Sequence, residues 1–206
     1  MKWKLIDKTG TSRPTRGGYR DWKSTLAKEG GYQCVYCCIG ENRFGGIRNF
    51  HVEHWKPQSK FEELTNDFDN LFYACGICNV LKSDDWPRDP TSDFNHAYYP
   101  APSAIDYSSF LTTVHETGHV DSATLTGKYI IERLHLNRPQ LITARRTHAI
   151  VEELKKLKDQ LVELTPVAGD EIRRLIVLIG NLFDMLYKIW HARPYTRADE
   201  KVQVPV

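Results

Sequence analysis

Apolar positions along the chain change rhythm several times, and each change predicts a different element. Residues 19–28 place Tyr19, Trp22 and Leu26 at i, i+3 and i+7, one face of a helix that Gly30-Gly31 ends. Residues 44–49, with Gly45-Gly46, read as an irregular loop, 49–55 as a short strand, and 61–72 as mixed chain that loops onward. A helix is expected over 79–85, stopped by Trp86-Pro87 and Asp89-Pro90. Residues 91–102 suggest an irregular connector, 110–118 followed by Val120 a hairpin around Glu116-Thr117-Gly118-His119, and 126–134 another helix. After Pro139 a helical rhythm takes over, with Ile142, Arg146, Ile150, Leu154, Leu157, Leu161 and Leu164 three or four residues apart. Pro166 and Gly169 break it, and Asp170 is placed to cap a final helix ending near Trp190.

That last helix is apolar over more than one stripe between residues 175 and 190, so it is either well buried or docks a second chain, and burial is the simpler expectation. With 206 residues the chain can form one domain, or a small metal-organised domain with a helical extension. Its 28 Lys and Arg against 26 Asp and Glu give a net charge of only +2, which excludes a uniformly basic nucleic-acid coat. Residues 1–30 are locally basic, with eight cations against three acids, so the N-terminal arm is the first candidate for phosphate contact; a solvated segment is equally expected over 9–18. The longest apolar run, 175–180, is too short to span a bilayer, and Lys2, Lys4, Asp7 and Lys8 interrupt any leader-like start. An odd count of five cysteines argues against a secreted disulfide framework and for a reducing, cytoplasmic setting.

Four of those cysteines have metal-ligand spacing. Cys34-Val-Tyr-Cys37 and Cys75-Gly-Ile-Cys78 form two Cys-x-x-Cys knuckles around a 37-residue insert, as in a structural zinc site. Cys38 could replace Cys37, although the two-residue gap favours Cys37. Inside the insert lies His51-Val-Glu-His54, and Asn79 follows the last cysteine directly. A carboxylate and an amide oxygen, from Glu53 and Asn79, are hard ligands suited to Mg²⁺, and a neutral His54 imidazole can accept a proton from water. Neighbours on a strand point to opposite faces, so Glu53 and His54 can share a site only if the strand ends there, for which Trp55-Lys56-Pro57 supplies a cause. His51 could share the Glu53 face as an extra ligand or phosphate contact, but a structural or solvated role is simpler. Asn79 could merely cap a helix. The remaining histidines match no ligand spacing.

Taken in order, Cys-x-Tyr-Cys, Glu-His-x-x-Pro, Asn-Leu and Cys-x-x-Cys-Asn-x-x-Lys over residues 34–82 resemble the HNH endonucleases of the ββα-metal fold. The resemblance implies an α+β fold with a zinc-stabilised ββα-metal core, an N-terminal helix and a mainly helical C-terminal extension. It implies structural Zn²⁺ on Cys34, Cys37, Cys75 and Cys78, catalytic Mg²⁺ or Mn²⁺ on Glu53 and Asn79, His54 as general base, Asn70 bracing the loop, and Lys82 near the phosphate. Here the acid is Glu where Asp is common, and the last position is Asn. Downstream, Trp86-Pro87, Tyr98-Tyr99-Pro100, Gly118-His119-Val120 and residues 134–139, followed by Leu141 and Arg145, are similar to the HNH subunit of Septu-type and retron-linked antiphage systems, which implies an ABC-type ATPase partner.

The expected organisation is a basic arm and helix over 1–30, a zinc-bound nuclease core over 31–90, and a mainly helical extension over 91–206 that is a candidate partner-docking region. The expected activity is metal-dependent phosphodiester hydrolysis in double-stranded DNA, in antiphage defence. Two alternatives stand: a non-catalytic zinc-knuckle module that binds nucleic acid or an ATPase, and an HNH nuclease acting on RNA.

Overall fold

The computed structural model describes residues 1–10, 13–164 and 169–190. Among them the chain is α+β, with two small two-stranded sheets and five α-helices. A 3₁₀ turn, Tyr19–Trp22, runs straight into α1, Lys23–Glu29. The predicted strand appears as β1, Phe50–His54, and pairs antiparallel with β2, Leu71–Cys75, in the register Phe50↔Cys75 to His54↔Leu71. β2 corrects the expectation that the mixed chain over 61–72 loops on to the second knuckle: Leu71 to Cys75 are buried on both faces, so no polar alternation marks them in the sequence.

Helix α2 is Gly76–Lys82, three residues earlier than its spacing suggested. The reason is chemical, because the Cys75 sulfur accepts from the Cys78 amide (3.5 Å) and serves as the N-cap, so the second knuckle is itself the first turn of the helix. Asn79 therefore sits inside α2 and does not cap it. Ser83, at φ 49°, ends the helix before the prolines are reached.

Beyond α2 the connector leads to β3, Thr112–Thr113, and β4, Val120–Asp121, an antiparallel hairpin at the expected place, followed by α3, Leu125–Arg133. At the hairpin tip Gly118 has φ 75°, and a Cβ there would lie 2.6 Å from the Ile142 carbonyl oxygen. Asn137 accepts from the Val120 amide (2.7 Å), and buried Arg145 donates to the Gly118 and Leu136 carbonyls (3.0 and 2.7 Å). One apolar core joins α1, the first knuckle, β1 and β2 to Tyr99, Tyr107, Ile130 and Leu141.

The last elements are α4, Pro139–Leu164, and α5, Asp170–Trp190. The predicted break at Pro166 lies outside the described residues. Simple burial of α5 is overturned: among its residues of described burial only Ile176, Gly180 and Phe183 are buried, whereas Leu182, Met185 and Leu186 are about 60% exposed. No helix among the described residues is long and apolar enough to cross a membrane.

The N-terminal arm is tied down more than its charge suggested. Lys8 is buried between the Phe68 and Phe72 rings, pairs with Glu29 (2.6 Å) and donates to the Leu71 carbonyl (2.5 Å). Arg13 donates to both carboxylate oxygens of Asp69, each at 2.8 Å. These two cations hold the arm against the loop before β2, and Lys8 is buried there while Arg13 stays exposed.

Asp85, just after α2, gathers the downstream segment. It accepts from Tyr99 (2.7 Å), Tyr129 and Arg133 (3.1 Å). Burial works against its ionisation, but the hydrogen bonds from Tyr129, Tyr99 and Arg133 outweigh that and hold the carboxyl below its usual range. Asp85→Ala is expected to lower the unfolding free energy by about 2 kcal/mol in denaturant melts, with exposed Asp159→Ala nearly neutral. Because the folded carboxyl titrates lower than the unfolded one, this contribution is present above about pH 4 and is lost as the pH falls through the folded value.

Candidate functional site

The four knuckle sulfurs converge. Cys34, Cys37, Cys75 and Cys78 are buried, none is in a disulfide, and their Sγ atoms lie within 4.8 Å of one another, with Cys37 and Cys75 at 3.8 Å. Zinc bonded to sulfur at about 2.3 Å puts tetrahedral ligands about 3.8 Å apart, so the cluster fits a structural zinc ion. Cys38 is outside it, buried at φ 59°, with burial pushing its thiol up. Arg138, which the motif reading left without a role, places its guanidinium nitrogens 3.7 Å from the Cys37 sulfur and 3.8 Å from that of Cys78. Four thiolates around one Zn²⁺ leave a net charge of about −2, which a guanidinium at that distance offsets.

The clip sets the distance between two chain segments. β1 enters from the insert and α2 leaves from Cys75, so Glu53 and Asn79 meet, with Asn79 Nδ2 donating to Glu53 Oε2 at 2.7 Å. Glu53 is 2% exposed, and its other oxygen takes Lys82 Nζ at 2.8 Å and the Tyr36 hydroxyl at 3.2 Å. Burial, then the Glu53 charge, pushes Tyr36 well up, so it remains a hydrogen donor to the carboxylate. Tyr36 lies between the first two zinc ligands, and only its place in the Cys-x-Tyr-Cys pattern hinted at it.

His54 ends β1, where the strand stops as the Trp55-Lys56-Pro57 sequence suggested, and it shares a cleft of about 550 Å³ with Glu53, Pro57, Asn79 and Asp84. Its Nε2 is 3.0 Å from the Thr65 carbonyl oxygen. A carbonyl only accepts, so Nε2 carries the hydrogen and the neutral ring keeps its lone pair on Nδ1. Tyr19 packs edge-on against the ring, 4.8 Å between centroids, and its amide donates to Asn66 beside Thr65 (2.9 Å). Asn70 closes the loop that carries Thr65: Oδ1 accepts from the Lys56 amide (2.8 Å), and Nδ2 donates to the Lys56 and Leu64 carbonyls (3.1 and 3.4 Å).

Lys82 is corrected. Expected near the phosphate, it is wholly buried outside the cleft lining, and it donates to the His54 carbonyl (2.9 Å) besides its pairing with Glu53. A buried carboxylate needs a countercharge, and α2 supplies one from its last turn. His51 is also outside the cleft; it is exposed beside Gly76, with Nε2 3.3 Å from where a Cβ on that glycine would sit.

The class so defined is a ββα unit closed by a four-cysteine cluster, with a carboxylate, an amide and an imidazole gathered in one cleft by the loop end of its hairpin. Residues 34–85 match the family model described as HNH endonuclease, and the four-cysteine cluster lies within that stretch, a likeness that suggests nuclease activity. No curated protein matches the chain.

Glu53 and Asn79 also fit a second, hard cation. Adjacent oxygen ligands of Mg²⁺ at about 2.1 Å stand about 3 Å apart, close to the present separation, once the amide turns its oxygen inward.

Two outcomes follow from this geometry. Lys82→Met should cost about 3–5 kcal/mol in chemical denaturation by stranding a buried carboxylate, whereas loss of a surface phosphate contact would leave stability unchanged. Arg138→Ala should retain one zinc per chain by elemental analysis but release it faster to a chromogenic chelator, since outer partners of metal ligands typically contribute about 10- to 100-fold in affinity.

Proposed function

We propose that the chain is a metal-dependent endonuclease that hydrolyses phosphodiester bonds in DNA, with His54 as the general base. The carrying observation is the placement of His54: Nε2 meets the Thr65 carbonyl oxygen, Tyr19 packs edge-on against the ring, and the residue lines one cleft with Glu53 and Asn79. A water beside Nδ1 can lose its proton to the ring as it attacks phosphorus. Glu53 and Asn79 would hold a divalent ion, which when bound offsets charge on the phosphate and the departing oxygen. Tyr36 and Lys82 keep the Glu53 carboxylate in one orientation. Arg20, exposed and bonded through Nε to the Tyr19 hydroxyl (3.1 Å), extends the arm's positive charge beside His54 and is the candidate backbone-phosphate contact.

A purely structural zinc module has no use for a buried acid networked to an oriented imidazole, so the catalytic reading is preferred. The residues behind the likeness to antiphage nuclease subunits have folding roles here: Tyr99 binds Asp85, Asn137 and Arg145 clamp the β3–β4 hairpin, and Arg138 faces the sulfurs. We therefore propose the chemistry without the defence role or the ATPase.

The test is incubation of purified protein with supercoiled plasmid, linear duplex and RNA, each with Mg²⁺, Mn²⁺ or EDTA. Nicking of the plasmid that needs a divalent ion is expected, and His54→Ala should lower the rate about 10²- to 10⁴-fold with zinc content and melting unchanged. Cutting by His54→Ala at the wild-type rate would remove His54 from the chemistry. Cleavage of RNA alone would move the substrate, and binding without cleavage under every condition would leave a zinc-knuckle binding module.

A further inference from the structure

Helix α5 carries two apolar seams. The first, Ile176, Gly180, Phe183 and Tyr187, faces α4, and its partners fix the sense of the pair: Lys158 Nζ meets Asp184 (2.6 Å) and Lys155 lies over the Tyr187 ring (5.0 Å), so the helices run antiparallel. The second, Ile172, Leu175, Ile179, Leu182 and Leu186, keeps a strict three-four alternation, yet each of these residues is 50–62% exposed. At 100° per residue it lies roughly a quarter turn from the first.

Helix α4 repeats the arrangement. Ile150, Leu154 and Leu157 are 44–57% exposed and lie roughly a quarter turn, in the same rotational sense, from the Lys155 and Lys158 line that meets α5. In an antiparallel pair, equal offsets turn both seams to one side of the hairpin.

We infer that this side of the α4–α5 hairpin is a dimer interface, and that a second copy of this chain covers it as an antiparallel four-helix bundle. Three-four alternation over several turns is the spacing that knobs-into-holes packing of another helix requires. A half-exposed Leu or Ile leaves on the order of 100 Å² in water, so the two seams with Leu178 and Met185 present roughly 1,000 Å² per chain, above the ~800 Å² per partner of a standard interface. A twofold-related hairpin buries both seams of both chains in one closed arrangement. The exposed flank of α4 mixes signs, with Glu153, Lys156 and Asp159, so no wall of like charge opposes self-association.

On the nuclease reading proposed above, two copies supply two clefts, as cutting both strands of a duplex requires. The interface itself is independent of that reading, because its test measures mass and not cleavage.

Light scattering after size exclusion of the full chain is expected to give twice the 23.8 kDa monomer mass at micromolar concentration. The double variant Ile179→Glu, Leu182→Glu should run as a monomer with unchanged zinc content and helical circular dichroism, while Arg173→Gln, on the exposed side of α5 away from the second seam and from Leu178 and Met185, should stay dimeric. A monomeric wild type overturns the inference, including one whose apolar face is covered only by a different protein. A double variant that remains dimeric overturns it equally.

Discussion

Closure of the sulfur cluster is the constraint on which the rest of the domain depends. Bringing Cys34 and Cys37 to Cys75 and Cys78 joins the ends of a 37-residue insert, and the ordering entropy of that loop must be met locally. Metal–thiolate bonds can meet it, because in small metal-organised units binding free energy is folding free energy. The consequence is positional. Cys75 ends β2, is paired with Phe50 at the start of β1, and caps α2, so one ligand sets strand register and helix start together. Glu53 sits three residues beyond Phe50 and Asn79 one residue beyond Cys78, and neither can move far without opening the clip.

Around Glu53 the fold accepts a buried charge and surrounds it with three partners from two segments. Tyr36 comes from the first knuckle, Asn79 and Lys82 from α2. The same Lys82 ammonium bonds the His54 carbonyl, so acid and imidazole are linked through backbone and side chain alike. Removing any one partner leaves a group in low dielectric without its complement, which is why so polar a cluster can be rigid. Asp85 repeats the device three residues past Lys82, binding the downstream aromatic segment to the end of α2 with two phenols and a guanidinium.

Much of this was legible before any coordinates. Cysteine spacing named the four residues that converge, strand-ending residues explained how Glu53 and His54 share a cleft, and helical rhythm located α3, α4 and α5 to within a residue or two. Three things were not legible, each for a physical reason. β2 is buried on both faces, so it has no alternation to detect. Lys82 reads as a surface cation from its charge alone, and its inward turn depends on a carboxylate 29 positions earlier that only the fold brings near. Arg138 lies 60 residues from Cys78 and belongs to no local pattern, so its place over the sulfurs is purely tertiary.

The exposure of α5 belongs to a different kind of failure. Its sequence holds two interleaved three-four repeats, and a period count sees only that apolar residues are abundant, not how many surfaces they serve. The chain's own hairpin has one helix to offer α5, and α4 covers one repeat. A broad apolar arc on a helix that packs on one helix among the described residues is covered by a further body or stays in water, where each half-exposed Leu forgoes on the order of 1–2 kcal/mol of burial. Since α4 carries a matching uncovered repeat on the same side, the unmet demand is for two helices at once, and a hairpin of the same construction is the simplest body that supplies them.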